Sequence, residues 1–291
     1  MFKISKFFFK IILCLIVIVV LIFVYARYIE PYRLVSTELT FENKHITKDA
    51  GDVTIAVFSD THFNDSGNYT FENFEKVINT INDRDPDIIL FLGDLIDDYG
   101  KYQGDTASIS GAFSKLSARL GKFAVYGNHD HGGGAHKVYK EIMENGGFIV
   151  FENEFIEFED IKLRLIGLDD FVLGRGDTSV VGESAKPGWF NMVFCHVPDI
   201  IDEILDYNID FMVAGHTHGG QINFGQVNNA RYREIFFPPY GRNYIRGSYV
   251  FENGANTTLY VTSGVASTIL PLRFMAPPEV TIITITPQPV S

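Results

Sequence analysis

The sequence predicts an α/β fold of the α+β type: two mixed β-sheets packed as a sandwich flanked by helices, behind an N-terminal transmembrane helix. Three observations predict it. Five short apolar runs each end in a polar cluster and alternate with helix-compatible stretches. Four further runs alternate in polarity without helices between them. Residues 7–26 form a 20-residue apolar segment with one charge, Lys10. At 46% hydrophobic and 21% charged, the 291-residue chain is globular rather than disordered. The expected organisation is a short cytoplasmic N-terminus (1–6), a membrane anchor (7–26), a connector (27–50) and one folded domain (51–291).

The segment FFFKIILCLIVIVVLIFVYA is long enough to span a bilayer as a helix. Lys10 lies in its first turn and can snorkel to the interface. A cleavable signal peptide would have an apolar core of roughly 7–15 residues and small residues before the cut. The uninterrupted run Ile11 to Tyr25 is at the top of that range, and Val24 and Tyr25 make a poor cleavage context. Lys3, Lys6 and Lys10 precede the span, while Arg27 and Arg33 follow it with Glu30 nearby. That bias places the N-terminus in the cytoplasm and residues 27–291 outside. Cys14 lies in the span and cannot pair with Cys195, so no disulfide is expected. Residues 1–26 hold three lysines and no acid. The rest carries 21 basic against 36 acidic residues, a net −15, which excludes an electrostatic nucleic-acid binder.

Beyond the connector, 53–60, 87–94, 122–130, 191–198 and 211–218 are runs rich in Val, Ile and Phe with polar ends. Such runs read as buried strands. Residues 70–83, 105–120, 136–146 and 199–206 have helix-compatible spacing. The second group, 148–158, 161–168, 257–263 and 279–286, supplies further strands, so the sheets are mixed.

Each of the first five strands finishes in a metal-capable cluster. In order these are Asp60-Thr61-His62, Gly93-Asp94, Gly127-Asn128-His129-Asp130, His196, and Gly215-His216-Thr217-His218. Ligands in α/β sheets gather outside the carboxyl ends of strands. Taken singly, each cluster is ordinary: a Gly-Asp is often a turn, and Asn-His-Asp can start a helix. Five such clusters at five strand ends point to a metal site. Asp60 and His62 are two apart, as are His216 and His218. On extended backbone each pair would point to one side. Gly93 admits close backbone approach, and Asp94 would bridge two cations with its two oxygens. Two ions about 3.5–4 Å apart clamp an in-line displacement at phosphorus. Imidazole with carboxylate suits Mn, Fe or Zn better than Ca or Mg.

Those residues resemble the calcineurin-like metallophosphoesterases over roughly 53–286. The extension Gly219-Gly220-Gln221, with Pro271-Leu272-Arg273-Phe274 and Pro277-Pro278-Glu279, resembles the bacterial membrane-associated phosphodiesterase branch. The resemblance implies two divalent metal ions. The first would take Asp60, His62, Asp94 and His218, and the second Asp94, Asn128, His196 and His216. His129 would act at the leaving-group oxygen, oriented by Asp130. The expected activity is a phosphodiesterase or pyrophosphatase on a lipid or envelope head group, including glycolipids of the UDP-diacylglucosamine type. A broad phosphomonoesterase and a non-catalytic metal-binding scaffold are the alternatives; a scaffold would be expected to lack a ligand, and every position is filled. Gln221, Arg242 and Arg273 are read either as phosphate contacts or as structural hydrogen bonders. Phe236-Phe237-Pro238-Pro239-Tyr240 is read as an apolar loop, core or lipid-facing. His45, His131 and His136 are assigned no ligand role, and Cys195 is assigned to the core.

Overall fold

The computed structural model describes residues 2–66, 69–223, 240–254 and 256–288, so Phe236-Phe237-Pro238-Pro239 lies outside the described residues. Helix α1 (Phe2–Tyr28) comes first, and no part of its most apolar 18-residue window is buried. By length and composition it can cross a bilayer. Strand β1 (Val35–Asn43) follows, within the stretch expected to be a connector. Its exposure alternates strictly, with Leu39 and Phe41 turned onto the core. The alternation was present in the sequence, but Thr and Glu at every second position lower its apolar contrast.

Strand β2 (Val53–Phe58) leads to α2 (Phe71–Asn82), and β3 (Ile88–Phe91) leads to α3 (Thr106–Phe113). Strand β4 (Gly121–Val125) leads to the short α4 (Asn128–Gly132) and to α5 (Tyr139–Asn145). Next come β5 (Ile149–Phe151), β6 (Glu154–Phe158), β7 (Leu163–Gly167) and α6 (Ser179–Ser184). Then come β8 (Phe190–Phe194), α7 (Ile201–Ile204), β9 (Phe211–Ala214), β10 (Gly247–Val250), β11 (Thr258–Val261) and β12 (Glu279–Pro287). Helix α3 stops well short of residue 120. Asn82 takes over the chain there, donating to Lys115 O and accepting from Ser117 N.

The strands form two mixed six-stranded sheets, ordered β1-β12-β2-β3-β4-β5 and β10-β11-β9-β8-β7-β6. In the first sheet β2 to β5 run parallel, and in the second β7, β8, β9 and β11 do. The sheets face each other across Val53, Ile55, Val57, Leu90 and Phe123 on one side and Leu165, Met192, Phe194 and Val213 on the other. The opposite face of the first sheet is covered by α2, α3 and α5. Helix α2 packs there through Phe74, Val77, Ile78 and Ile81, the stripe its spacing dictates. Helices α6 and α7 cover the second sheet. Thr70 and Asn73 form a capping box that starts α2.

The end of α1 is fastened to the domain. Ala26 O accepts from Arg273 N at 2.9 Å, and Glu30 Oε1 accepts from Ala276 N at 2.6 Å. Both Ala26 and Glu30 are buried. Arg273 is itself fully buried, and its guanidinium donates to the carbonyls of His218, Ser263, Gly264, Ala266 and Ala276. This is a structural role rather than a phosphate contact.

Arg273→Ala leaves Ser263 O and Ala276 O without their donor in a buried site, while His218 O, Gly264 O and Ala266 O keep Gln221 N, Glu279 N and His218 Nδ1. At ~1–3 kcal/mol per unsatisfied buried group, the expected loss is at least about 2 kcal/mol. Denaturant unfolding of the detergent-solubilised full chain measures it. A loss below about 1 kcal/mol would contradict the structural assignment.

Candidate metal centre

The parallel strands β2, β3, β4, β8 and β9 deliver their carboxyl ends to one place between the two sheets. The backbone there is not extended, contrary to the expectation for the Asp-x-His and His-x-His pairs. Asp60 (φ 61°), His62 (φ 39°), Asp94 (φ 58°), His216 (φ 70°) and His218 (φ 51°) are all left-handed. Asp and His tolerate this region better than most residues. The strand stops at Phe58 or Ala214, and the reversal that follows turns the pairs inward. Gly93, at φ 92°, crosses Gly127 so closely that a Cβ on it would collide with the Gly127 backbone.

Three overlapping groups of potential ligands result. Asp60, His62 and His218 form the first, Asp94, His196 and His216 the second, and His62, Asp94 and His129 a third that lies between them. In the first, His62 Nε2 lies 3.2 Å from His218 Nε2, and His218 Nε2 lies 3.6 Å from Asp60 Oδ1. In the second, His216 Nδ1 lies 3.2 Å from His196 Nε2, which lies 3.1 Å from Asn128 Oδ1. Asp94 joins them: its Oδ2 is 3.1 Å from His196 Nε2 and 3.5 Å from His62 Nε2. Its Oδ1 accepts from His129 N at 2.8 Å. One oxygen therefore faces the first and second groups, where the sequence suggested one oxygen for each. All seven residues expected to hold metal come together here.

The donor set fits divalent cations. Ligands held about 2.1 Å from one ion lie about 3.0–3.4 Å from each other, and these nitrogens and oxygens stand 3.1–3.6 Å apart. Both carboxylate oxygens of Asp60 are fully buried and lack a hydrogen-bond partner among the described residues. An orphaned buried carboxylate is costly unless a cation meets it. Backbone carbonyls also set the rings: His196 Nδ1 donates to Leu92 O at 2.8 Å and His218 Nδ1 to Ala266 O at 2.9 Å. A carbonyl has no proton to give, so Nδ1 carries it and Nε2 faces the centre.

The electrostatics express the same demand for positive charge. Burial pushes His62 down, but the carboxylates of Asp60, Asp97 and Asp94 outweigh it and raise it to about 10. His196 is raised to about 10 by Asp94 and Asp60 against the same opposition. Burial pulls His218 down to about 3, leaving it neutral. Burial pushes Asp60 and Asp94 up, yet the surrounding imidazoles hold both below the usual carboxylate range. Without a metal, protons supply the missing charge.

His129 borders the centre, its ring edge-on to His62 at 4.7 Å. Asp130, expected to orient it, has its carboxylate engaged by backbone amides. It is buried and accepts from those of Asp94, Leu95 and Gly127, tying the β3 and β4 turns together. Asp97 contacts the His129 ring directly. Its carbonyl accepts from His129 Nδ1 at 2.7 Å, and its Oδ1 lies 3.3 Å from His62 Nδ1 and 3.4 Å from His129 Nδ1. Its place three residues after Asp94 was the available signal. Gln221 binds Thr268 and Leu270, and His131 binds Asp169 while stacking on Tyr126. Cys195 is buried in the core, its thiol donating to Val197 O. An open cleft of ≈ 500 Å³ leads away from His129, between Asn64–Ser66 and Asp97–Tyr102 on one side and Ser267–Pro271 on the other.

Residues 53–220 match the profile of the calcineurin-like phosphoesterases. The chain is 39% identical to the uncharacterized metallophosphoesterase YkuE of Bacillus subtilis, over 90% of this chain and 88% of that one. It is 27% identical to the phosphodiesterase YaeI of Escherichia coli, over 90% and 92%. It is 24% identical to the UDP-2,3-diacylglucosamine pyrophosphatase LpxG of Chlamydia muridarum, again over 90% and 92%.

Because His62 and His196 are raised to about 10, both are protonated at neutral pH without metal, and an incoming ion must displace those protons. Loading should release about two protons per chain, and affinity should fall as the pH falls. Calorimetry in buffers of different ionisation enthalpy reads the release, and elemental analysis reads the stoichiometry. Asp94→Ala should bring metal content from two ions toward one. Two retained ions with full activity would sink the shared role of Asp94.

Proposed function

The chain belongs to the calcineurin-like phosphoesterase family, and from that premise we propose that it is a membrane-anchored, two-metal phosphoesterase cleaving a phosphodiester or pyrophosphate bond of a lipid or envelope head group. It is a hydrolase acting on phosphoric esters. The observation that carries the two-metal reading is the pair of ligand groups meeting at Asp94 Oδ2 beside the orphaned carboxylate of Asp60. Asp60, His62, Asp94 and His218 would hold one ion, and Asp94, Asn128, His196 and His216 the other. Bound Mn, Fe or Zn ions would supply the charge that activates a water and screens the phosphoryl oxygens.

The chain's own residues supply the rest. His129 is partly exposed to the cleft, with Nδ1 committed to Asp97 O, so Nε2 is the nitrogen left to meet the leaving-group oxygen. In its protonated form it gives that oxygen a proton. Asp97 is the positioning residue, holding both His129 and His62. The cleft beyond His129 has room for the alcohol or phosphate on the leaving side. Two relatives, named as a phosphodiesterase and as a pyrophosphatase of a diacylated sugar nucleotide, support this substrate class. Tethering raises the effective concentration of a bilayer-borne ester.

For topology, the preceding lysines support a cytoplasmic N-terminus with the domain outside. Protease added to intact cells should then remove the domain and spare the N-terminus. Protection of the whole domain would reverse the orientation, and a mature N-terminus near Arg27 would replace the anchor by a signal peptide.

A panel of mono-, di- and pyrophosphate esters assayed with Mn, Zn, Fe and Mg tests the activity. Within it, His129→Ala should lose ~10²–10⁴-fold on alkyl phosphodiesters while keeping both metals. The loss should shrink for nitrophenyl esters, whose leaving group needs no proton. Equal losses on both would refute the acid role.

A further inference from the structure

The loop between β11 and β12 does three things at once. Its Arg273 amide and Ala276 amide hold the end of α1 at Ala26 and Glu30. Its Ala266 carbonyl holds His218 at the metal centre. Between these, Ser267–Pro271 forms one rim of the cleft that leads from His129.

That rim is unusually apolar for an exposed turn. On it Ile269 is 93% exposed and Leu270 51%, and Met275, further along the same loop, is 58% exposed. Ile269 also stands at φ 57°, a region β-branched residues rarely adopt. The loop is nonetheless fixed from inside. Gln221 donates to Thr268 O and Leu270 O and accepts from Thr268 N, so the rim keeps its shape while its apolar tips face outward. Backbone strain and large apolar exposure at one position, on a braced loop, call for a ligand of matching chemistry.

The anchor indicates which ligand. Ile269 is four residues from Arg273, whose amide touches Ala26, so the backbone between them reaches no more than about 14 Å. Around that point Tyr28 is 60% exposed, Ile29 52% and Tyr32 37%, and Arg27 lies over the Tyr28 ring at 4.9 Å. Aromatic and basic residues at the end of an apolar span belong at the headgroup level. The Tyr25 ring meets Phe274 edge-on at 6.4 Å, which further fixes helix and loop together. We propose that Ile269, Leu270 and Met275 form a lip inserted into the bilayer that α1 spans, so that the cleft opens at the membrane surface and takes the phosphoester head group of an acylated lipid still seated there. This rests on the anchored phosphoesterase reading above. It adds a route: substrate enters laterally from the bilayer, acyl chains remaining in the lipid, and only the head group climbs to His129.

The test uses the full chain in phosphatidylcholine vesicles, with the sole tryptophan removed by Trp189→Phe. I269W and, separately, M275W should show blue-shifted emission that brominated acyl chains quench. I149W, on β5 at the far edge of the first sheet, should respond only to aqueous iodide. Quenching of I269W and M275W by iodide alone overturns the lip. Quenching that follows the protein-to-lipid ratio and ignores bromine assigns the patch to a second copy and overturns it equally. Because these signals need no turnover, they stand apart from the substrate reading. In I269S/L270S, the rate on a bilayer-embedded phosphodiester relative to a soluble one should drop about tenfold as apolar burial is lost. An unchanged ratio in a wild type that does cleave the lipid also overturns the route. A wild type that cleaves no lipid phosphoester, with lip quenching intact, removes the lipid substrate and leaves the lip.

Discussion

Two carboxylates, Asp60 and Asp94, are buried at the ends of adjacent parallel strands, where burial penalises their charge. Most of the molecule's local architecture follows from making that arrangement tolerable. Imidazoles converge on the pair from the second sheet, which requires β8 and β9 to end at the same level as β2 and β3. Asp130 gathers three amides and so locks the β3 and β4 turns in mutual contact. Gly93 and Gly127 allow the contact, since side chains at either position would push the turns apart. The apolar sandwich beneath gives the rigidity that such a charge cluster needs.

That constraint explains what the sequence revealed. Strands buried on both faces read as unbroken apolar runs, so β2, β3, β4, β8 and β9 stood out, and with them the polar clusters at their ends. The seven residues now gathered in one place were legible for that reason. β1 was not, because an edge strand half in solvent carries Thr and Glu at alternate positions. The inward turn of the Asp-x-His and His-x-His pairs was legible as a direction, although its cause was misread. It comes from left-handed backbone after the strand rather than from pleating within it. Asp97 was missed because its role depends on a carbonyl as much as on its carboxylate, and carbonyls leave no mark in a sequence. Arg273 shows the same gap: five carbonyls claim it, and only the fold brings them together.

The β11–β12 loop couples parts that sequence separates widely. Glu279 at the start of β12 accepts from the Ser263 amide and the Tyr260 hydroxyl, which fixes the loop's two ends to each other. Inside that closed segment Arg273 organises the backbone around His218, while its amide grips Ala26. The metal centre and the helix end thus share one buried cation as a brace. A displacement of α1 relative to the domain would disturb the carbonyls that set the His218 ring.

The strain has a direction. Five residues of the centre occupy left-handed backbone without being glycine, each at a cost of order 1–3 kcal/mol. The unfolded chain pays none of this, so the native state holds it only where surrounding packing or a ligand offsets it. An ion that binds the folded centre and not the unfolded chain adds stability by mass action. The same ion relieves the buried carboxylates of their proton partners on His62 and His196. Strain, buried charge and metal affinity are therefore one balance. The residues that tolerate left-handed backbone, Asp and His, are also those that ligate cations, so one choice of side chain serves both demands.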